Sequence, residues 1–166
     1  MNPDSVRRVF EGRVISVVVE RWGEHEREVV EHPGAVAIVA TDREGNLVLV
    51  RQTREAVRRE LLEIPAGTLG PGEDPLSAAK RELEEETGYV AGQWRSGPRF
   101  LTAPGFCQEV MHLFFVEDVE GGEPANEEDE EIEVVLVPKG DVERLLGEIE
   151  DAKSLIGLLL LLHGRA

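Results

Sequence analysis

The sequence predicts an α/β protein in which helices flank a mixed β-sheet, an α/β/α sandwich. Three observations carry that expectation. The run AVAIVA at residues 35–40 is continuously apolar, as suits a central strand buried on both faces. Other β-branched runs lie before and after it, with helix-length segments between them. One of those segments, residues 67–89 (GTLGPGEDPLSAAKRELEEETGY), carries start and stop signals for a single helix.

Taken in order, residues 13–20 read as a strand, with Ile15, Val17 and Val19 on one face and Val18 spoiling the alternation. Residues 26–31 form a second extended piece, which Pro33-Gly34 ends. After the central run, residues 42–46 (DREGN) make a turn and residues 47–50 return as a hairpin partner. Residues 61–64 lead into Pro65 and a glycine-rich loop. Asp74 suits an N-cap and Pro75 an early helical position, and Gly88 suits the residue that ends the helix. Strands are expected near Phe100, over residues 110–116 and over 132–137, with a Gly/Pro/acidic loop at 121–131. Helices over 140–149 and 151–163 close the chain. No repeat or linker divides it, so residues 1–166 read as one domain, with residues 1–32 as N-terminal strands.

The net charge of −16 leaves no basic stripe for phosphate backbones and argues against nucleic acid as a partner. The apolar run at 155–162 is too short to span a bilayer and contains Gly157. It is expected to be a buried C-terminal helix or a dimer contact, with no membrane partner. The start of the chain has no signal-peptide pattern, and Cys107 as the single cysteine suits a reducing cytoplasm. The four histidines have no ligand spacing and read as structural or solvent-facing.

Glu82, Glu85 and Glu86 stand at i, i+3 and i+4, on one face of the helix. Like charges at that spacing repel, and the last turns are where the macrodipole is negative. Three acids placed against helix physics point to a cation, and a hard ion such as Mg²⁺ takes oxygen ligands. Leu76, Ala79 and Leu83 make an apolar stripe beside them. Glu84 points away toward solvent.

The segment resembles the Nudix box, G-x5-E-x7-R-E-U-x-E-E-x-G-U, through Gly67, Glu73, Arg81, Glu82, Leu83, Glu85, Glu86 and Gly88; Tyr89 replaces the final aliphatic residue. The resemblance implies a Nudix-type sandwich and a Mg²⁺-dependent hydrolase of a phosphoric anhydride, with Mn²⁺ as a substitute. It implies Glu82 and Glu86 as metal ligands, Glu85 assisting in metal binding and catalysis, and the Ala66 carbonyl completing the set. Glu73 and Arg81 are expected to pair and brace the loop.

Further matches resemble the ADP-ribose pyrophosphatase branch: Arg51-Gln52-Thr53-Arg54 before LEIPAG, Pro104 within LTAPGF, and the acidic run at residues 126–131. They imply substrate contacts from Arg51, Arg54, Ala103, Gly105 and Glu109, and a general base at Glu128 or Glu130. They also imply a homodimer whose N-terminal strands swap between subunits, with Glu28 reaching the adenine. ADP-ribose is the leading nucleotide-sugar substrate. The alternatives are another diphosphosugar such as GDP-mannose, or a module that senses a nucleotide without cleaving it.

Overall fold

The computed structural model describes residues 1–121 and 132–164. Its strands are β1 (Ser5–Glu11), β2 (Ser16–Trp22), β3 (His25–Glu31), β4 (Ala35–Asp42), β5 (Asn46–Arg54), β6 (Arg59–Glu63), β7 (Ala66–Thr68), β8 (Tyr89–Leu101), β9 (Val110–Gly121) and β10 (Ile132–Pro138). Its helices are α1 (Pro75–Thr87), α2 (Val142–Leu145) and α3 (Ala152–Leu162). The main sheet runs β10-β5-β4-β9-β8, with β6 on β5 and β7 on β4. The β4–β9 pairing is parallel and the others are antiparallel, so the sheet is mixed as expected.

Every residue of β4 is buried, because both sheet faces are covered. Its side chains alternate between two cores. Val36, Ile38 and Ala40 join Val48, Phe114 and Val116 under Ala78, Ala79 and Leu83 of α1. Ala35, Ala37 and Val39 join Leu47, Leu49, Leu113 and Phe115 under Val142, Leu145 and Leu158 of α2 and α3. That is the sandwich, with α1 on one side and the C-terminal helices on the other.

One element differs from the sequence reading. Residues 140–149 are not one helix: a 3₁₀ turn over Lys139–Asp141 leads into the four residues of α2. Irregular turns follow, in which Gly147 N–H donates to Arg144 O and Ile149 N–H to Leu145 O. The last helix stands where it was expected and runs through Gly157. This residue lies inside α3 where the helix meets the sheet, and a Cβ there would come within 2.7 Å of Val39 Cγ2. The glycine lets helix and strand approach closely.

Strands β1, β2 and β3 form a separate three-stranded antiparallel sheet. Strand β1, which the sequence pattern did not reveal, is exposed along its whole length, including Val6, Val9 and Phe10. Among the described residues no helix is long and apolar enough to cross a membrane.

Candidate active site

Helix α1 begins and ends where the sequence placed it. The Asp74 carboxylate accepts from Ser77 N–H at 3.0 Å, and Gly88, at φ 68°, turns its N–H back onto Glu84 O. Ala78, Ala79 and Leu83 face the core, with Leu76 half-buried beside them. Glu84 is exposed. This rotation carries Glu82 and Glu86 onto the adjoining flank, against β7.

Glu86 is buried and accepts a hydrogen bond from Ala66 N–H at 3.0 Å. The Glu82 carboxylate lies against Gly67, where a Cβ would fall 1.9 Å from Glu82 Cδ. Only glycine leaves room for that carboxyl. Burial pushes the Glu82 carboxyl above the usual carboxylate range; Glu85 and Glu73 add to the rise and Arg81 opposes it.

Arg81 gathers the remaining acids. It contacts Glu73 at 3.0 and 3.1 Å, Glu82 at 2.8 Å and Glu85 at 2.7 Å. Glu73 also accepts from Gly70 N–H at 2.8 Å, so this pair ties the loop to the helix.

A cleft of about 360 Å³ opens over this face. Arg81, Glu82, Glu85 and Glu86 line it, with Ala66, Gly67 and Thr68 of β7 as its floor. Arg13 and Val14 of the β1–β2 turn and Gln52 and Arg54 of β5 complete the wall. A neighbouring cavity of about 460 Å³ shares Arg54 and β7 and reaches Thr102, Glu109, Asp151 and Lys153.

The acidic donor set suits a hard divalent ion: carboxylate oxygens on one helix flank, beside a backbone kept bare at Gly67. As they stand, no three His, Cys, Asp or Glu side chains among the described residues are arranged to hold a metal. Arg81 brings positive charge to Glu73, Glu82 and Glu85.

The other residues singled out in the sequence divide into two groups. Arg54 lines both cavities and pairs with Glu63. Glu109 lines the second cavity, accepts from Thr102 Oγ1 at 2.5 Å and stands 3.8 Å from His32 Nδ1. Ala103 and Gly105 lie in the turn before it, where Ala103 O accepts from Phe106 N–H and Cys107 N–H. By contrast, Arg51 is outside both cavities and pairs with Glu133 at 3.2 Å. Glu28 is exposed in the first half of β3, outside both cavities. Glu128 and Glu130 lie outside the described residues.

Sequence reading missed several cleft residues, Arg13 and Gln52 among them. Arg13 lies at a turn with no motif to mark it, and it forms no ion pair among the described residues. Gln52 stands between the two motif arginines; its Nε2 is buried without a hydrogen-bond partner among the described residues. Its signal was strand periodicity, which puts Gln52 and Arg54 on one face and Arg51 on the other.

Comparison with known proteins follows the same lines. The family model described as the NUDIX domain matches residues 31–157. The chain is 42% identical over 156 residues to the ADP-ribose pyrophosphatase of Bacillus subtilis (strain 168), which covers 89% of this chain and 84% of that protein. It is 37% identical over 160 residues to the methanol dehydrogenase activator of Bacillus methanolicus, covering 91% and 86% respectively. A solved structure described as that of an ADP compounds hydrolase matches with a TM-score of 0.82 over 100% of this chain and 97% of that one. At 23% identity, this likeness speaks for the fold.

Proposed function

The chain belongs to the NUDIX domain family, and from that premise we propose that it hydrolyses the diphosphate of ADP-ribose, water and substrate giving AMP and ribose 5-phosphate. The observation that carries this reading is the pairing of Glu82 and Glu86 on one flank of α1 against Ala66 and Gly67, in a cleft that also presents Arg13 and Arg54. The 42% identity to an ADP-ribose pyrophosphatase supports the substrate.

The anhydride is stable in neutral water because its oxygens repel a nucleophile. A divalent ion, Mg²⁺ by preference, supplies charge neutralisation and acidifies bound water when present. Glu82 and Glu86 hold it, with Glu85 and the Ala66 carbonyl assisting. Arg54 and Arg13 bring positive charge to the phosphoryl oxygens, which the overall charge of −16 otherwise repels. Glu109, with Ala103 and Gly105 in the preceding turn, borders the second half of the substrate. Arg51 faces Glu133 in this chain and takes no cleft contact in this reading. Glu128 or Glu130 orients or deprotonates the water, so glutamine at the responsible position lowers kcat more than KM.

A homodimer belongs to the same proposal. Val6, Val9 and Phe10 leave apolar side chains of β1 exposed, which a second subunit covers, and exposed Glu28 then serves the partner's adenine. The lone Cys107 suits a cytoplasmic setting.

The test is a panel of nucleoside diphosphosugars with Mg²⁺ or Mn²⁺, with products resolved by chromatography. AMP and ribose 5-phosphate from ADP-ribose, faster than cleavage of GDP-mannose, are expected. Preference for GDP-mannose changes the substrate, and tight ADP-ribose binding without turnover in either metal makes the protein a sensor.

A further inference from the structure

The arginine shared by the two cavities is held by a chain of charges running to the C-terminal helix. Arg54 gives Nε and Nη2 to the two oxygens of Glu63, at 3.0 and 2.7 Å. The Glu63 side chain is only 2% exposed, and it also receives Lys153 Nζ at 2.5 Å. Lys153 contacts Asp151 at 2.9 Å, and Asp151 caps α3 by accepting from Ser154 N–H. Ile64 N–H, next to Glu63, donates to Ser154 Oγ at 2.9 Å.

This arrangement exceeds what holding α3 requires. A carboxylate withdrawn from water demands a partner, and one cation would serve. Glu63 has two, and one of them borders the cleft. A fork-to-fork pair fixes the plane of a guanidinium as well as its position. With Nε and Nη2 committed, Nη1 is the remaining corner. Burial alone would raise the Glu63 carboxyl, but Arg54 and Lys153 outweigh it and hold it below the usual carboxylate range, so the clamp stays charged at neutral pH.

We infer that Glu63 is a positioning residue for Arg54, and that Lys153, by sharing Glu63, ties the presentation of that guanidinium to the seating of α3. The inference rests on the diphosphate reading of the cleft. Glu63 borders the second cavity with a side chain only 2% exposed, and through its fork it determines where the positive corner of Arg54 stands between the two cavities. Lys153 takes part of the Glu63 charge and so leaves more of the Arg54 charge for an anionic ligand.

The experiment is a double-mutant cycle on ADP-ribose hydrolysis with Mg²⁺ in the full chain. Arg54→Ala is expected to raise KM by about tenfold or more, the size of a lost charge-assisted contact. Glu63→Gln should raise KM by a similar factor with kcat within about twofold, and adding Arg54→Ala to it should cost less than about threefold more, because coupled sites are not additive. Equal effects of Arg54→Ala in both backgrounds, or an unchanged KM in Glu63→Gln, overturn the inference. Lys153→Met covers the case in which Glu63→Gln does not fold. It keeps the fork and lowers the positive charge, so KM rises about threefold with kcat retained. A folded Lys153→Met protein with wild-type KM removes Lys153 from the device. A wild type that cleaves no diphosphosugar sinks the functional reading itself. An active wild type with an indifferent Glu63 sinks only this inference.

Discussion

Two arginine knots flank the same cleft, and their charge balance differs. At Arg81 one guanidinium meets three carboxylates, those of Glu73, Glu82 and Glu85. At Arg54 one buried carboxylate, Glu63, meets two cations, Arg54 and Lys153, and Asp151 balances the second. The first knot is short of positive charge, and burial leaves Glu82 with a raised pKa. The second is satisfied, and Glu63 is held low. A surplus of acid on a rigid helix calls for a cation from outside, whereas a compensated acid inside the protein serves to place its partner. The same residue types thus do ligand work in one region and orienting work in the other, and burial with stoichiometry tells them apart.

The sharpest way to break the contrast is Glu86→Gln. It keeps an acceptor for Ala66 N–H and removes a charge from the acid-rich side, so kcat with saturating Mg²⁺ should fall at least about a hundredfold while the circular dichroism spectrum is unchanged. Near-normal turnover removes Glu86 from the metal shell. Gly67→Ala comes next. The added methyl displaces the Glu82 carboxyl, the mobile end of a side chain, so the apparent Mg²⁺ affinity in activity titrations should drop about tenfold or more while stability falls by only about 1–2 kcal/mol. An unaltered Mg²⁺ titration would mean that Glu82 is not a ligand.

On the compensated side, Glu63→Gln should lower unfolding free energy by about 2 kcal/mol in urea titration at pH 7, below the range for a fully buried pair because Arg54 is partly in water. The pH dependence has a definite sign. Glu63 is held below its ordinary value of 4.5, so its pairing contributes fully above that pH and is lost as the pH falls further. The wild type should therefore lose stability more steeply than Glu63→Gln below that value, and parallel curves would contradict the pairing. The smallest effect is the metal's own. Millimolar Mg²⁺ should raise the wild-type melting temperature, with a gain near 2.7 kcal/mol only at about a hundred times Kd, and Glu86→Gln should abolish the shift. A wild-type melting point indifferent to Mg²⁺ would mean that the acid-rich knot does not bind the ion in the folded protein.

The first knot was legible in the sequence, because helical spacing is rigid and caps fix where the count begins: Asp74 and Gly88 are enough to place Glu82, Glu85 and Glu86 on one flank. The second knot was only half legible. Arg54 stood out beside LEIPAG, but its partners Glu63 and Lys153 lie ninety residues apart and are brought together by packing of α3, which no local pattern encodes. Arg51 drew equal notice, although strand alternation places residues three apart on opposite faces. Strand β1 escaped notice because exposure on both faces leaves no periodicity. The helix expected over residues 140–149 stops at Leu145 because Gly147 and the burial of Ile149 favour tight turns over a further helical turn.

The parallel contact between β4 and β9 has a consequence for how the molecule is made. Met111 lies opposite Ala35, so the innermost strand acquires one of its two main-sheet neighbours only after most of the polypeptide has left the ribosome. Pairings so distant along the chain form slowly, since loop closure precedes the reward. Until β9 arrives, one edge of the AVAIVA strand has nothing beside it, and a nascent chain arrested before residue 110 is a candidate for chaperone capture and proteolysis rather than a folded half.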